Sequence, residues 1–173
     1  SEARSPVVLV GHSWGAWLAC LCAARYPALV RRLILIGSGP FEERCVKRME
    51  ATRASRLTAA ERERAFLLSD ELKRTDGHDD AVLREFGALM DRTDSFRPIA
   101  DAGAPVRLDV RIHVAVMKEA AEMRRTGRLL DECGRIRCPV IALHGDYDPH
   151  PHEGVSVPMG KTVRDFRMIL LRD

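Results

Sequence analysis

Four short apolar runs punctuate the chain: Val7-Val8-Leu9-Val10, Leu33-Ile34-Leu35-Ile36, Val140-Ile141-Ala142-Leu143 and Met168-Ile169-Leu170-Leu171. Each is continuous rather than alternating, as expected of strands buried on both faces of a parallel sheet. Between the first two lies Ala16 to Ala24, an apolar stretch without a charged residue that reads as a buried helix. It stops at Tyr26-Pro27, because proline cannot continue a helix and restricts the residue before it. Strand, helix and strand in about thirty residues form a right-handed crossover, so the first two strands are expected to be parallel neighbours.

From Glu42 to Cys133 the pattern changes to charged segments with helical spacing and no convincing strand. Thr58 and Glu61 have the spacing of a capping box, which predicts a helix with Ala65, Leu68 and Leu72 on one face. A second helix carries Val82, Leu83, Phe86, Leu89 and Met90, with Asp79 or Asp80 as its cap. A third, near Ile112 to Arg125, places Ile112, Val116, Ala120 and Met123 on one side and is closed by Gly127. Residues 95–105 read as a connector, and a helix-like piece around Pro158 to Phe166 precedes the last strand. The fold class is therefore α/β, a mostly parallel sheet with a helical insertion between two strands. Its parts are a core over 1–41, the insertion over 42–133 and a second core segment over 134–173.

The junction of the first strand and helix reads Gly11-His12-Ser13-Trp14-Gly15. An abrupt turn from strand to helix holds its apex residue in a strained conformation, with the side chain projecting from the end of the sheet. Ser13 is at that apex. The glycines on either side are explained by a close strand–helix approach that leaves no room for a β-carbon. The helix N-terminus beyond Ser13 offers free backbone N–H groups and a positive dipole end, suited to an oxyanion developing beside the serine. The competing reading is a glycine-bounded turn in another doubly wound protein, with Ser13 only capping the helix.

With its strand before and helix after, this G-x-S-x-G pattern resembles the nucleophile elbow of the α/β-hydrolase family. The third strand is followed by His144-Gly145-Asp146-Tyr147-Asp148-Pro149, which resembles the family's acid loop. The resemblance implies Ser13 as nucleophile, Asp148 as the acid that orients the catalytic histidine, and the Trp14 backbone N–H as an oxyanion donor. It also implies a helical lid over the substrate, no cofactor, and a small-molecule ester or amide as substrate. Asp146 is read as a turn residue. In the family the histidine follows the last strand, which here reaches Arg172-Asp173, and earlier strands and a second oxyanion donor precede the elbow. The chain thus looks like a fragment with an incomplete triad. A catalytically silent, truncated or non-enzymatic relative and an acyltransferase using the same site remain alternatives.

Other histidines are not expected to serve as the base. His12 is read as a packing residue directed into the strand environment, and His78 and His113 as solvent-facing. His150 and His152 are too close in sequence to Asp148 to reach Ser13 in the usual arrangement. A rival reading takes His144, Asp146, Asp148, His150 and His152, at every second position, as ligands on one face of an extended segment. Gly145, Pro149 and Pro151 oppose a sustained strand, and no metal is expected.

Composition narrows the setting without choosing a substrate. The 173 residues are 46% hydrophobic and 31% charged, enough for one domain with a real core. A net charge of +3 from 28 basic and 25 acidic residues does not argue for nucleic acid or an anionic membrane. No apolar stretch is long enough to span a bilayer, and Ser1-Glu2-Ala3-Arg4-Ser5 lacks the apolar core of a signal peptide, so a cytoplasmic protein is expected. Five cysteines, several in apolar runs, read as reduced thiols. Gly37-Ser38-Gly39 fails as a dinucleotide fingerprint because Glu42 stands at the third glycine. Gly160-Lys161-Thr162 fails as a phosphate loop because Val155 stands at its first glycine. The elbow strand, without an earlier neighbour, is expected to leave an apolar edge prone to self-association.

Overall fold

The computed structural model describes residues 5–74, 80–98 and 109–172. All four predicted strands form: β1 (Val7–His12), β2 (Val30–Ile36), β3 (Val140–Gly145) and β4 (Phe166–Leu171). They make one sheet in the order β1-β2-β3-β4, parallel throughout. The helices are α1 (Trp14–Arg25), α2 (Val46–Ser55), α3 (Ala59–Arg74), α4 (Asp80–Asp94), α5 (Val110–Arg125), α6 (Arg128–Cys133) and α7 (Glu153–Thr162). This is the expected α/β architecture, a parallel sheet with helices α2–α6 inserted between β2 and β3.

The chain divides into two compact units, one of residues 1–49 and 123–173 and the other of residues 50–122. The first contains the sheet. Leu33, Leu35, Val140 and Ala142 are buried in the central strands, and Ala16, Ala19, Cys20 and Ala23 of α1 are buried with them. Small residues along α1 let it lie close to the strands, which is what an uncharged alanine-rich helix beside a sheet provides. β1 differs from the central strands: among the described residues it pairs only with β2, and Val10 is 54% exposed. Cys20 and Cys133 are fully buried where α1 packs on α6, and all five cysteines are free. The Cys20 thiol donates a hydrogen bond to Cys133, and this, together with burial, raises its pKa well above the ordinary thiol value.

Pro158 lies inside α7, not at the start of a helix as the sequence reading has it. A proline there removes the bond to the carbonyl four residues earlier. That carbonyl belongs to Gly154, and it accepts instead from the Phe41 N–H at 2.9 Å. A β-carbon on Gly154 would lie 2.8 Å from Pro40 Cβ and 2.9 Å from Cys45 Sγ, so only glycine lets the loop after β2 come this close. The same loop is held from α1 by Trp17, whose Nε1 donates to the Gly39 carbonyl at 3.1 Å and whose ring packs on Phe41. Arg124 stacks over the Trp17 ring and pairs with Glu43 at 2.8 Å.

The second unit is helical. The capping box forms: the Thr58 N–H donates to Glu61 Oε2 at 2.9 Å, and the Glu61 N–H donates to Thr58 Oγ1 at 3.3 Å. Its core is Leu68, Leu72, Val82, Leu83 and Val110, with Phe86, Leu89 and Val114 packed against it. This corrects the expected stripe on α5. The helix begins at Val110, and its buried face there runs through Val110 and Val114, while Ile112 is 64% exposed. Two residues along a helix is more than half a turn, so starting the stripe at Ile112 selects the opposite side. Farther along, Ala120 and Met123 are buried as expected. Gly127, at φ 79°, occupies the left-handed position after α5. Asp79 and His78 lie outside the described residues.

Candidate functional site

The turn from β1 into α1 is as tight as the motif predicts, but its two glycines contribute unequally. A β-carbon on Gly11 would lie 2.4 Å from the Gly15 carbonyl oxygen and 2.7 Å from Ala16 Cα, both backbone atoms that cannot swing aside. On Gly15 a β-carbon would meet nothing within 4 Å, so the steric reason expected for that glycine is not found. The helix passes closest to the strand over Gly11, and Gly15 contributes its backbone rather than its lack of a side chain.

Ser13 is the one non-glycine residue with positive φ among the described residues, at φ 53° and ψ −123°. A conformation so sparsely populated costs on the order of 1–3 kcal/mol and persists only where neighbours over-determine it. Two hydrogen bonds do so: the Ser13 N–H donates to the Ile36 carbonyl at 2.9 Å, and the Ala16 N–H donates to the Ser13 carbonyl at 3.0 Å. The first ties the apex to the end of β2 and the second starts α1. The Ser13 hydroxyl makes no capping bond to the helix, which removes the reading of this serine as a cap. Trp14 is the first residue of α1, so its N–H is among those a helix leaves without an internal partner.

Asp148 reaches the same end of the sheet from the turn after β3. Its N–H donates to the Gly145 carbonyl at 3.2 Å, closing the turn. Gly37, just after β2 at φ 51°, lies below it: a β-carbon on Gly37 would be 3.2 Å from Asp148 Oδ2 and 3.7 Å from His12 Nε2. Since Ser13 bonds to Ile36 and Asp148 overhangs Gly37, consecutive residues of one strand end bring the two predicted site residues to one place. His12 is exposed and lies beside Gly37, not packed into the strands as expected. As the last residue of β1 it has left the layer where helices cover the sheet. His113, on α5, is half-buried rather than solvent-facing, and burial lowers its pKa.

The acid is more heavily engaged than the sequence suggests. His150 Nδ1 lies 2.6 Å from Asp148 Oδ1, and the His150 N–H donates to the same oxygen at 2.9 Å. His144, 2% exposed, has its Nε2 2.8 Å from the His150 carbonyl and 3.6 Å from Asp148 Oδ2. Burial pushes the Asp148 pKa up, but the hydrogen bonds and charge of His150, with a contribution from His144, outweigh it. The net shift is below the ordinary carboxylate value. The sequence weighs His150 only as a base for Ser13 or as a rival metal ligand, and neither reading has it bonding the acid beside it. The segment turns at Asp146-Tyr147 and bends at Pro149-His150, and no group of three or more His, Cys, Asp or Glu side chains among the described residues has metal-holding geometry. Gly160-Lys161-Thr162 closes α7, the negative end of a helix and unsuited to phosphate.

Elsewhere, a groove of about 410 Å³ between α3 and α4 is lined by Ala60, Glu61, Arg64, Glu85, Ala88, Leu89 and Arg92. It holds none of the predicted site residues. No helix among the described residues is long and apolar enough to cross a membrane.

A parallel sheet with a strained serine at a strand–helix turn and an aspartate after a later strand defines a hydrolase-like α/β protein. Residues 1–169 match the model of the alpha/beta hydrolase family, and the chain belongs to that family. Its structure is similar to that of VinJ, with 22% identity and a TM-score of 0.58 over 97% of this chain and 58% of that one. It is also similar to proline iminopeptidase from Mycobacterium smegmatis, with 20% identity and a TM-score of 0.54 over 95% and 56%. A third is monoacylglycerol lipase from Paleococcus ferrophilus, with 18% identity and a TM-score of 0.53 over 97% and 59%. The chain therefore spans little more than half the length of these structures. No curated protein sequence matches it.

Proposed function

We propose that the chain is part of a serine hydrolase acting on a small ester or amide. Ser13 attacks the carbonyl, and the Trp14 N–H donates to the oxyanion that forms. Asp148 orients a histidine lying outside residues 1–173, which takes the serine proton and returns it to the leaving group. No cofactor takes part. The observation that carries this reading is the backbone of Ser13, strained and with a hydroxyl not spent on capping α1. Strain is kept where it positions a reacting group. The names of two of the similar structures, a proline iminopeptidase and a monoacylglycerol lipase, fit the same chemistry.

Labelling of the complete gene product by a fluorophosphonate probe tests it. Ser13→Ala is expected to reduce labelling by about a thousandfold or more. Labelling that persists at full rate in that variant overturns the assignment. Acyl transfer to an acceptor other than water uses the same residues, and product analysis separates the two.

For residues 1–173 alone we infer residual turnover at most, since His144 and His150, the histidines beside Asp148, are engaged within the acid turn itself. The open side of β1, with Val10 exposed, supports self-association of this piece through its strand edge. A monomeric species in sedimentation would contradict that.

A further inference from the structure

The two oxygens of the Asp148 carboxylate have different surroundings, and the difference assigns them different work. Oδ1 receives two bonds from one residue, the His150 N–H and Nδ1. A carboxylate oxygen accepts, so His150 carries its proton on Nδ1. The His150 backbone is fixed in turn by His144, whose Nε2 lies 2.8 Å from the His150 carbonyl. A carbonyl also only accepts, so His144 carries its proton on Nε2. Because His144 is buried at the end of β3, it anchors the acid turn to the sheet.

Oδ2 faces the other way. It lies over Gly37, the residue after the Ile36 carbonyl that holds Ser13. A side chain at position 37 would press on this oxygen from 3.2 Å, and glycine leaves the approach clear. Facing it are His144 Nε2 at 3.6 Å and, across Gly37, His12 of β1.

We propose that His150 is a positioning residue that permanently occupies Asp148 Oδ1, with His144 holding it in place, so that the triad histidine is received by Oδ2 on the Ser13 side. The division fixes the rotation of the carboxylate before the base arrives. It also lets His150 share the negative charge that would otherwise act on the base alone. The inference rests on Asp148 being the triad acid.

Two measurements on the complete gene product test it. In ¹⁵N-resolved spectra, the His150 Nδ1 proton is expected as a downfield signal that disappears in Asp148→Asn. Its absence from the wild-type protein overturns the pairing whether or not Ser13 reacts. Fluorophosphonate inactivation then reads the role. His150→Ala is expected to slow the maximal inactivation rate about tenfold with the probe's half-saturating concentration unchanged. Its acidic limb is expected to move to higher pH, because the undivided carboxylate holds a proton on the base more strongly. His150→Asn, whose Nδ2 stands where the Nδ1 donor was, is expected to restore both. An unchanged His150→Ala rate, or a uniform fall without a shift of the limb and without rescue by asparagine, overturns the inference. Loss of labelling in both variants makes His150 the base itself and overturns it as well. Failure of the hydrolase reading is distinct: the wild-type protein then shows no Ser13-dependent labelling, while the spectral test still decides the pairing.

Discussion

The two units of this chain are built by different means. In the sheet unit, apolar strands and a small-residue helix come so close that single atoms decide what fits, as at Gly11, Gly37 and Gly154. In the helical unit, a core of five buried residues is surrounded by charged surface, with ion pairs such as Arg53–Asp94 and Arg64–Glu85 joining its helices. Phe66, Leu67, Ile112 and Met117 remain exposed there. The sheet unit is specified by close approach, the helical unit by pattern. Reacting groups need placement within a fraction of an ångström, and both candidate catalytic residues lie on the unit that supplies it.

That contrast is open to test by substitution. The largest stability effect is expected from Leu68→Ala, about 2–5 kcal/mol for a fully buried leucine. Hydrogen exchange is expected to show the loss in α3 and α4, with the amides of β2 and β3 still protected. Equal loss in both units would mean that they unfold as one. Gly11→Ala is next, at about 1–3 kcal/mol, from overlap with backbone that cannot yield. Gly15→Ala, with open space around it and a helical position, is expected to be neutral or stabilising by up to about 1 kcal/mol. Denaturant melts showing equal losses for the two glycines would erase the distinction drawn at the elbow. Thr58→Ala is expected to cost about 1 kcal/mol, confined to the helical unit, because the capping box serves only α3.

The smallest effect is a pH dependence confined to the sheet unit. Asp148 has its folded pKa below its unfolded value, so its contribution is complete above the unfolded value and is lost as pH falls through the folded one. Melts taken from neutral to acidic pH are expected to show a steeper loss in the wild-type chain than in Asp148→Asn. An identical slope would mean that His150 does not stabilise the ionised form.

What the sequence disclosed follows the same division. Strands, the elbow and the capping box were legible because each rests on neighbours along the chain: an unbroken apolar run, a five-residue turn, a threonine three residues before a glutamate. Ile112 was placed on the wrong side of α5 because several apolar residues crowd its first turn, and only packing against α3 and α4 selects Val110 and Val114. Ser13 and Asp148 were recognised by motif. The grip of His150 on Asp148 was not, since alternation in sequence says nothing about a chain that turns at Asp146-Tyr147 and bends again at Pro149-His150. Gly15 shows the converse, a motif position whose identity has no steric explanation in the structure.

The bond from Phe41 to the Gly154 carbonyl joins residues that lie before and after the whole helical unit in the chain. It closes a long loop at its neck, using an acceptor that Pro158 has withdrawn from the helix ladder. The entropy of such a closure rises only logarithmically with length, by about 0.6 kcal/mol for each doubling. With the neck secured within the sheet unit, the helical unit of residues 50–122 can lengthen, shorten or be replaced at little thermodynamic penalty to the serine and the acid. One helix-internal proline thus frees the helical unit to diverge.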